Sequence, residues 1–212
     1  FLLLTQLHSS YTLAAASAES GIAWAEGLLQ DDTDRAGDVD DLTESWATPM
    51  KGHTIGAGAC DLVITDLSGQ FATDTSTEPG SRERTQSVER WLRQTGLPSY
   101  ALETPHILTQ TQRAQLTEGV HRWSSPPHTI NLNTAPASIL LALHPSLTTE
   151  TVQAILAHRP LYQLQDLQSL PRWETIGPLL RATSAPWTLE LRSAAFLAVA
   201  TGHHGATRVQ HW

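Results

Sequence analysis

Asp61-Leu62-Val63-Ile64-Thr65-Asp66-Leu67-Ser68-Gly69 is the stretch on which the fold turns. Leu62 and Ile64 fall on one face and Val63 and Thr65 on the other, which is strand periodicity, and Ser68-Gly69 then turns the chain. Working outward, residues 73–81 are rich in Thr, Ser, Pro and Gly and read as a loop. Helical patterns follow, and strand-like runs return only at Thr188–Leu191 and Phe196–Thr201. Gly202-His203-His204-Gly205 reads as a hairpin connection, with Thr207–Val209 returning beside the last run. The early and late strands are therefore expected to share one antiparallel sheet, with a helical block inserted between them. This order is α+β, not the βαβ alternation of a parallel sheet.

Upstream of that stretch, Leu7–Gln30 reads as one long helix covering a face of the sheet. Ala14, Ala18, Gly21, Ala25 and Leu28 recur at helical spacing. A stripe of such small residues lets another helix approach closely. The first four of them are the candidate partner-helix interface, and packing within the same domain is the alternative. Asp31-Asp32-Thr33-Asp34 with Asp38, Asp40, Asp41 and Glu44 reads as a solvated acidic linker, because it does not hold the register of a calcium loop. Phe1-Leu2-Leu3-Leu4 is apolar, but Gln6, His8 and Ser9 break it far short of the ~20 residues of a membrane span. It fits either the tail of a membrane helix or local packing.

Downstream, Thr85–Gln94 reads as a helix stopped by Gly96 and Pro98, and Gln112–Trp123 as another, ended by Ser124-Ser125-Pro126-Pro127. Thr129–Asn133 is a short extended piece. Three compact helical units follow. The first opens at Asn133-Thr134-Ala135-Pro136, where Asn133 or Thr134 can cap the free amides and Pro136 fits the first turn. The second spans Thr149–His158 with Val152, Ile155 and Leu156 inward. The third spans Gln163–Leu170 with Leu164 and Leu167 inward, and Pro171 after it.

Charge and chemistry narrow the function. The 212 residues carry a formal charge of -8, so a phosphate backbone is repelled unless the 13 basic residues gather on one face. The tightest group is Arg82, Arg84, Arg90 and Arg93, which sits among Glu83 and Glu89 and reads as a solvated helix face. The single cysteine, Cys60, can form no internal disulfide and reads as a small buried residue. His203 and His204 have no further ligand near them in sequence and read as turn residues. No Gly-rich phosphate loop, G-x-S-x-G elbow or H-E-x-x-H pair occurs, so no catalytic residues and no metal ligands are assigned and the chain is expected not to be an enzyme.

Several stretches together resemble the K-type minor pseudopilins of type II secretion systems, the general secretion pathway protein K family. Ser45-Trp46-Ala47-Thr48-Pro49 after the acidic run is similar to the family's Trp-Ala-x-Pro segment. Ile64–Phe71 resembles its strand ending in Asp-x-Ser-Gly-Arg-Phe, with Gln70 standing where the family usually has Arg. Ile130-Asn131-Leu132-Asn133-Thr134-Ala135-Pro136 resembles the opening of its second helical block, and Thr149–Arg159, Leu164–Leu170 and Trp187–Thr201 follow in the family's order. Trp46, Asp66, Gly69, Phe71, Asn131, Asn133 and Thr134 are the motif positions carried over, in a structural role.

The resemblance implies a pilin-like fold: a long N-terminal helix on a small antiparallel sheet, with an inserted α-helical domain of the SAM or helix-hairpin-helix kind. Residues 1–72 would hold the helix and first strands, 73–183 the insertion, and 184–212 the strands that complete the sheet. It implies a periplasmic domain of a protein held in the inner membrane by an N-terminal anchor ahead of this chain. Its partners would be the I-type and J-type minor pseudopilins and other secretion components, in a tip complex of the pseudopilus. Some family members bind calcium through the insertion; no matching ligands stand here, so no cofactor is carried over.

The Asn131–Leu170 block also resembles the helix-hairpin-helix module of competence-type DNA-binding proteins. That module needs a Gly-rich hairpin whose amides meet phosphate. The equivalent turn here is His144-Pro145-Ser146-Leu147, with no glycine and one amide removed by Pro145.

Overall fold

The computed structural model describes residues 2–35, 39–73, 81–122, 128–170, 173–180 and 186–212. By internal contact the chain forms two units. Unit 1 is Phe1–Gly37, Leu42–Thr65 and Phe196–Trp212; unit 2 is Asp38–Asp41 and Asp66–Ala195. The sequence reading sets the insertion at 73–183, whereas the contacts divide the chain at 66 and 195. Position 183 and the expected stops at Ser124–Pro127 and Pro171 lie outside the described residues.

Unit 1 is a helix on a sheet. Helix α1 (Leu2–Arg35) is Ala-rich and free of Pro, which favours an unbroken helix, and it extends past both expected ends. It takes in Asp31, Asp32 and Asp34, so these carboxylates are helical rather than part of a linker. The sheet has the order β1-β2-β7-β8. Strand β1 (Met50–Ile55) pairs antiparallel with β2 (Gly58–Asp66), and β7 (Phe196–His204) pairs antiparallel with β8 (Thr207–His211). Each hairpin closes on a two-residue Gly-Ala loop. Gly56 and Gly205 take positive φ, 59° in both, which a tight hairpin requires at its first central residue. The late turn is therefore at Gly205-Ala206. Gly202, His203 and His204 are strand residues, a correction to the reading above.

The stripe on α1 meets this sheet. Ala14, Ala18 and Ala25 are buried, and Gly21 packs where an added Cβ would stand 2.5 Å from Cys60 Sγ and 2.9 Å from Ala200 Cβ. On β7, a Cβ at Gly202 would collide with Ala14 O and Ala18 N, so helix backbone lies directly on strand backbone. Leu62, Ile64, Cys60, Trp46 and Ala200 complete the core, and Val63 faces out as the alternation predicts. Burial, the larger cause, and then Asp61 raise the Cys60 thiol pKa, in keeping with a packing role.

Unit 2 contains α2 (Ser81–Thr95), α3 (Gln110–Gly119), α4 (Ala137–Leu143), α5 (Thr149–Ala157) and α6 (Trp173–Leu180). Two short parallel ladders accompany them. Strand β3 (Phe71–Ala72) pairs with β4 (Val120–His121), and β5 (Thr129–Asn131) pairs with β6 (Thr188–Glu190). The sequence places β6 in the main sheet, whereas its alternating residues pair with β5 instead. Likewise α3 stops at Gly119, where the chain turns extended. The unit at Leu164–Ser169 is a 3-10 helix with Leu167 buried and Leu164 partly so. The core gathers Trp91, Phe71, Ile130, Leu132, Ile139, Leu140, Val152 and Ile155.

Candidate functional site

The motif residues of unit 2 converge on one buried polar clasp. Asp66 ends β2, and its Oδ1 accepts from Ser68 N at 2.7 Å, closing the turn that the sequence marks with Ser68-Gly69. Its Oδ2 accepts from Thr134 Oγ1 at 2.5 Å. Gly69 lies against the same threonine, since an added Cβ would stand 3.0 Å from Thr134 Oγ1. Asn131 Oδ1 accepts from Asn133 N at 2.8 Å, and Asn131 Nδ2 donates to Ser193 Oγ at 2.8 Å and Asp40 O at 3.1 Å. Ser193 N in turn donates to Asp40 Oδ2 at 2.5 Å. Asn133 copies a backbone peptide: its Oδ1 accepts from Leu161 N at 2.8 Å while its Nδ2 donates to Leu161 O at 2.9 Å. Each of these groups has a hydrogen-bond partner inside the clasp, as buried polar groups require.

This arrangement moves two expected roles. Asn133 and Thr134 do not cap α4, whose N-cap is Pro136 with no side-chain bond. Their side chains instead tie Leu161 and Asp66. Phe71 is fully buried and tilted at 36° to the Trp187 ring, 4.8 Å away. Trp46 belongs to unit 1, where its Nε1 donates to Glu44 Oε2 at 2.7 Å and its ring meets Phe196 edge-on at 4.9 Å. Sequence reasoning missed Asp40, Ser193, Ser68 and Leu161 as members of the clasp. The only local hint is the Ser193 break between two strand-like runs.

Three of the arginines are used internally. Arg84 is buried, and Arg90 Nη1 caps α4 at Ala142 O, so the expected solvated face is reduced to residues such as Arg93, loosely paired with Glu89 at 3.9 Å. Arg159 Nη2 donates to Ala135 O at 2.5 Å, and burial lowers its pKa to about 10 without discharging it at neutral pH. In the His144–Leu147 turn, Leu147 N donates to His144 O at 3.0 Å and Ser146 N to His144 Nδ1 at 3.1 Å. Two amides that a phosphate would need are thus engaged, and the third position is Pro145. Burial first, and then Arg90, hold His144 below its usual pKa. In unit 1, His203 Nε2 lies 2.9 Å from Asp61 Oδ2 across neighbouring strands, and Gly52 N donates to Asp61 Oδ1 at 2.7 Å.

The four interface candidates, Ala14, Ala18, Gly21 and Ala25, are covered by their own sheet, so their face is not open to a partner helix. What α1 leaves open is another stripe. Leu3, Leu4 and Tyr11 are 71%, 72% and 57% exposed, and Leu7 is exposed beside them, at the i, i+4, i+8 spacing of one helix face. No helix among the described residues is long and apolar enough to cross a membrane.

Residues 130–186 match the family model of the type II secretion system (T2SS), protein K. The matched segment begins at the Ile130–Pro136 motif and runs through the helical block that follows it. No curated protein matches the chain. Among solved structures, the chain is similar to one in the crystal structure of the GspK-GspI-GspJ complex from the enterotoxigenic Escherichia coli type 2 secretion system. The TM-score is 0.71 at 13% identity, over 97% of this chain and 91% of that one. The α+β architecture, a long N-terminal helix on a sheet with a helical insertion, is therefore shared with that chain of the complex.

Proposed function

We propose that this chain is the periplasmic part of a K-type minor pseudopilin that assembles with I-type and J-type minor pseudopilins at the tip of the type II secretion pseudopilus. The observation that carries this reading is the likeness over nearly the whole chain to a member of a GspK-GspI-GspJ complex, joined to the protein K match of residues 130–186. The activity is assembly by surface complementarity, with no catalytic turnover and no cofactor, and an N-terminal anchor holds the protein in the inner membrane. The exposed stripe Leu3, Leu4, Leu7 and Tyr11 is the part of α1 that meets neighbouring helices, in place of the small-residue stripe. Engagement of the turn amides of residues 144–147 and the acidic balance argue against the DNA-binding alternative.

The test is co-purification of this chain with the I-type and J-type domains of the same organism on a sizing column. A ternary peak is expected, and Leu3→Ser with Leu7→Ser should weaken it while leaving the fold unchanged by circular dichroism. Absence of any complex, together with salt-sensitive binding to duplex DNA, would replace this reading with the helix-hairpin-helix one.

A further inference from the structure

Two carboxylates meet in the clasp of unit 2 through one serine. Asp66 is 6% exposed. It takes hydrogen bonds from Thr134, Ser68 N and the Ser193 hydroxyl, all neutral. Asp40 accepts from Ser193 N, so the backbone and side chain of Ser193 serve one carboxylate each. The segments packed around Asp66 are 39–41, 67–70, 129–135 and 190–195. Their titratable groups are Asp40 and Asp41 on the first, and the exposed Glu190 and Arg192 on the last; the other two segments have none. Of these only Asp40 acts on Asp66 through its charge, and it opposes ionisation. Burial, and then the like charge of Asp40, favour the protonated form of Asp66 over the ionised form that its donors favour.

We infer that Asp66 and Asp40, joined through Ser193, make the clasp proton-sensitive, tighter when Asp66 holds its proton and looser as the pH rises. The clasp ties together the segments by which the chain enters and leaves unit 2, so its proton occupancy sets how firmly that unit is closed. The sign follows from linkage. Burial first, then Asp40, place the folded-state pKa of Asp66 above that of the unfolded chain despite its three hydrogen bonds. Its contribution is therefore fully present below the unfolded value and is lost as the pH rises through the folded one.

Thermal melting of the parent chain and of Asp66→Asn, at about pH 4 and about pH 7, either side of where a raised aspartate titrates, tests this. The asparagine can keep the bond from Ser68 N and offer its own donor toward Thr134 without ever ionising. The Tm of the variant relative to the parent should rise by a few degrees from the lower pH to the higher. A relative Tm that is flat or falls between the two would overturn the inference. Where the variant does not fold, the side-chain carboxyl 13C resonance of Asp66 in the parent decides it. A midpoint above the ordinary aspartate range supports the clasp, and one within or below it refutes it.

Discussion

The two units solve the same packing problem with opposite residues. Unit 1 brings helix and sheet together through Ala14, Ala18 and Gly21 on one side and Cys60, Ala200 and Gly202 on the other, so that backbone rests on backbone. Unit 2 fills its interior with Trp, Phe, Leu and Ile, and closes its chain crossings with a polar clasp. Close approach of small residues gains dense van der Waals contact but tolerates no added atom. A core of large side chains loses most when atoms are removed. The difference therefore predicts opposite sensitivities: unit 1 to enlargement, unit 2 to truncation.

The sharpest way to break this contrast is to remove the centre of unit 2. Trp91 is buried, and its ring lies where a Cβ on Gly119 would have to be. Trp91→Ala should cost about 3–5 kcal/mol in chemical denaturation, with lost hydrogen-exchange protection concentrated in residues 81–170. Next is enlargement in unit 1. Gly202→Ala places its methyl against Ala14 O and Ala18 N, which are backbone atoms and cannot rotate away. A loss of about 3 kcal/mol is expected, read by the same denaturation, with protection lost along α1 and β7. A neutral Gly202→Ala would show that the helix slides freely on the sheet and that the small stripe is not a tight fit. Asn133→Ala comes third. It leaves Leu161 N and O without partners inside the fold, and should cost about 2 kcal/mol; Asn133→Asp should recover part of this loss only at low pH, where the protonated carboxyl can accept from Leu161 N and donate to Leu161 O.

How far the sequence carried this contrast depends on whether the signal was local. The alternation of Leu62, Val63 and Ile64 identified β2 and its buried face correctly, because period-two burial is written in the strand itself. The stripe on α1 reads in sequence as a partner-helix interface, whereas its own sheet covers it, because small residues at helical spacing mark a close contact without naming the surface that makes it. Strand β1 was missed because Met50-Lys51-Gly52-His53-Thr54-Ile55 is an edge strand, exposed along most of its length and bulged near Gly52, so no alternation forms. Gly202 looked like a turn residue, yet its role is to let α1 touch β7, a contact made more than 180 residues along the chain from Ala14. The clasp was half legible. Asp66, Asn131, Asn133 and Thr134 stood out through the family motifs, whereas Asp40 and Ser193 come from segments that only folding brings beside them.

The smallest effect tests whether local signals stay local. Thr109 caps α3 by a reciprocal pair: its hydroxyl accepts from Gln112 N at 3.2 Å, and Gln112 Oε1 accepts from Thr109 N at 3.0 Å. Both groups are exposed and neither touches the clasp, so the box works only on the free amides of the first helical turn. Thr109→Ala should cost about 1 kcal/mol, with exchange rising at the first turn of α3 alone. A larger loss, spreading to Leu116 and Trp91, would mean that α3 has no stability of its own and that unit 2 answers as one body even to a change at its surface. In that case truncation anywhere in unit 2 would register as global, and the contrast between the units would be one of cooperativity as well as of residue size.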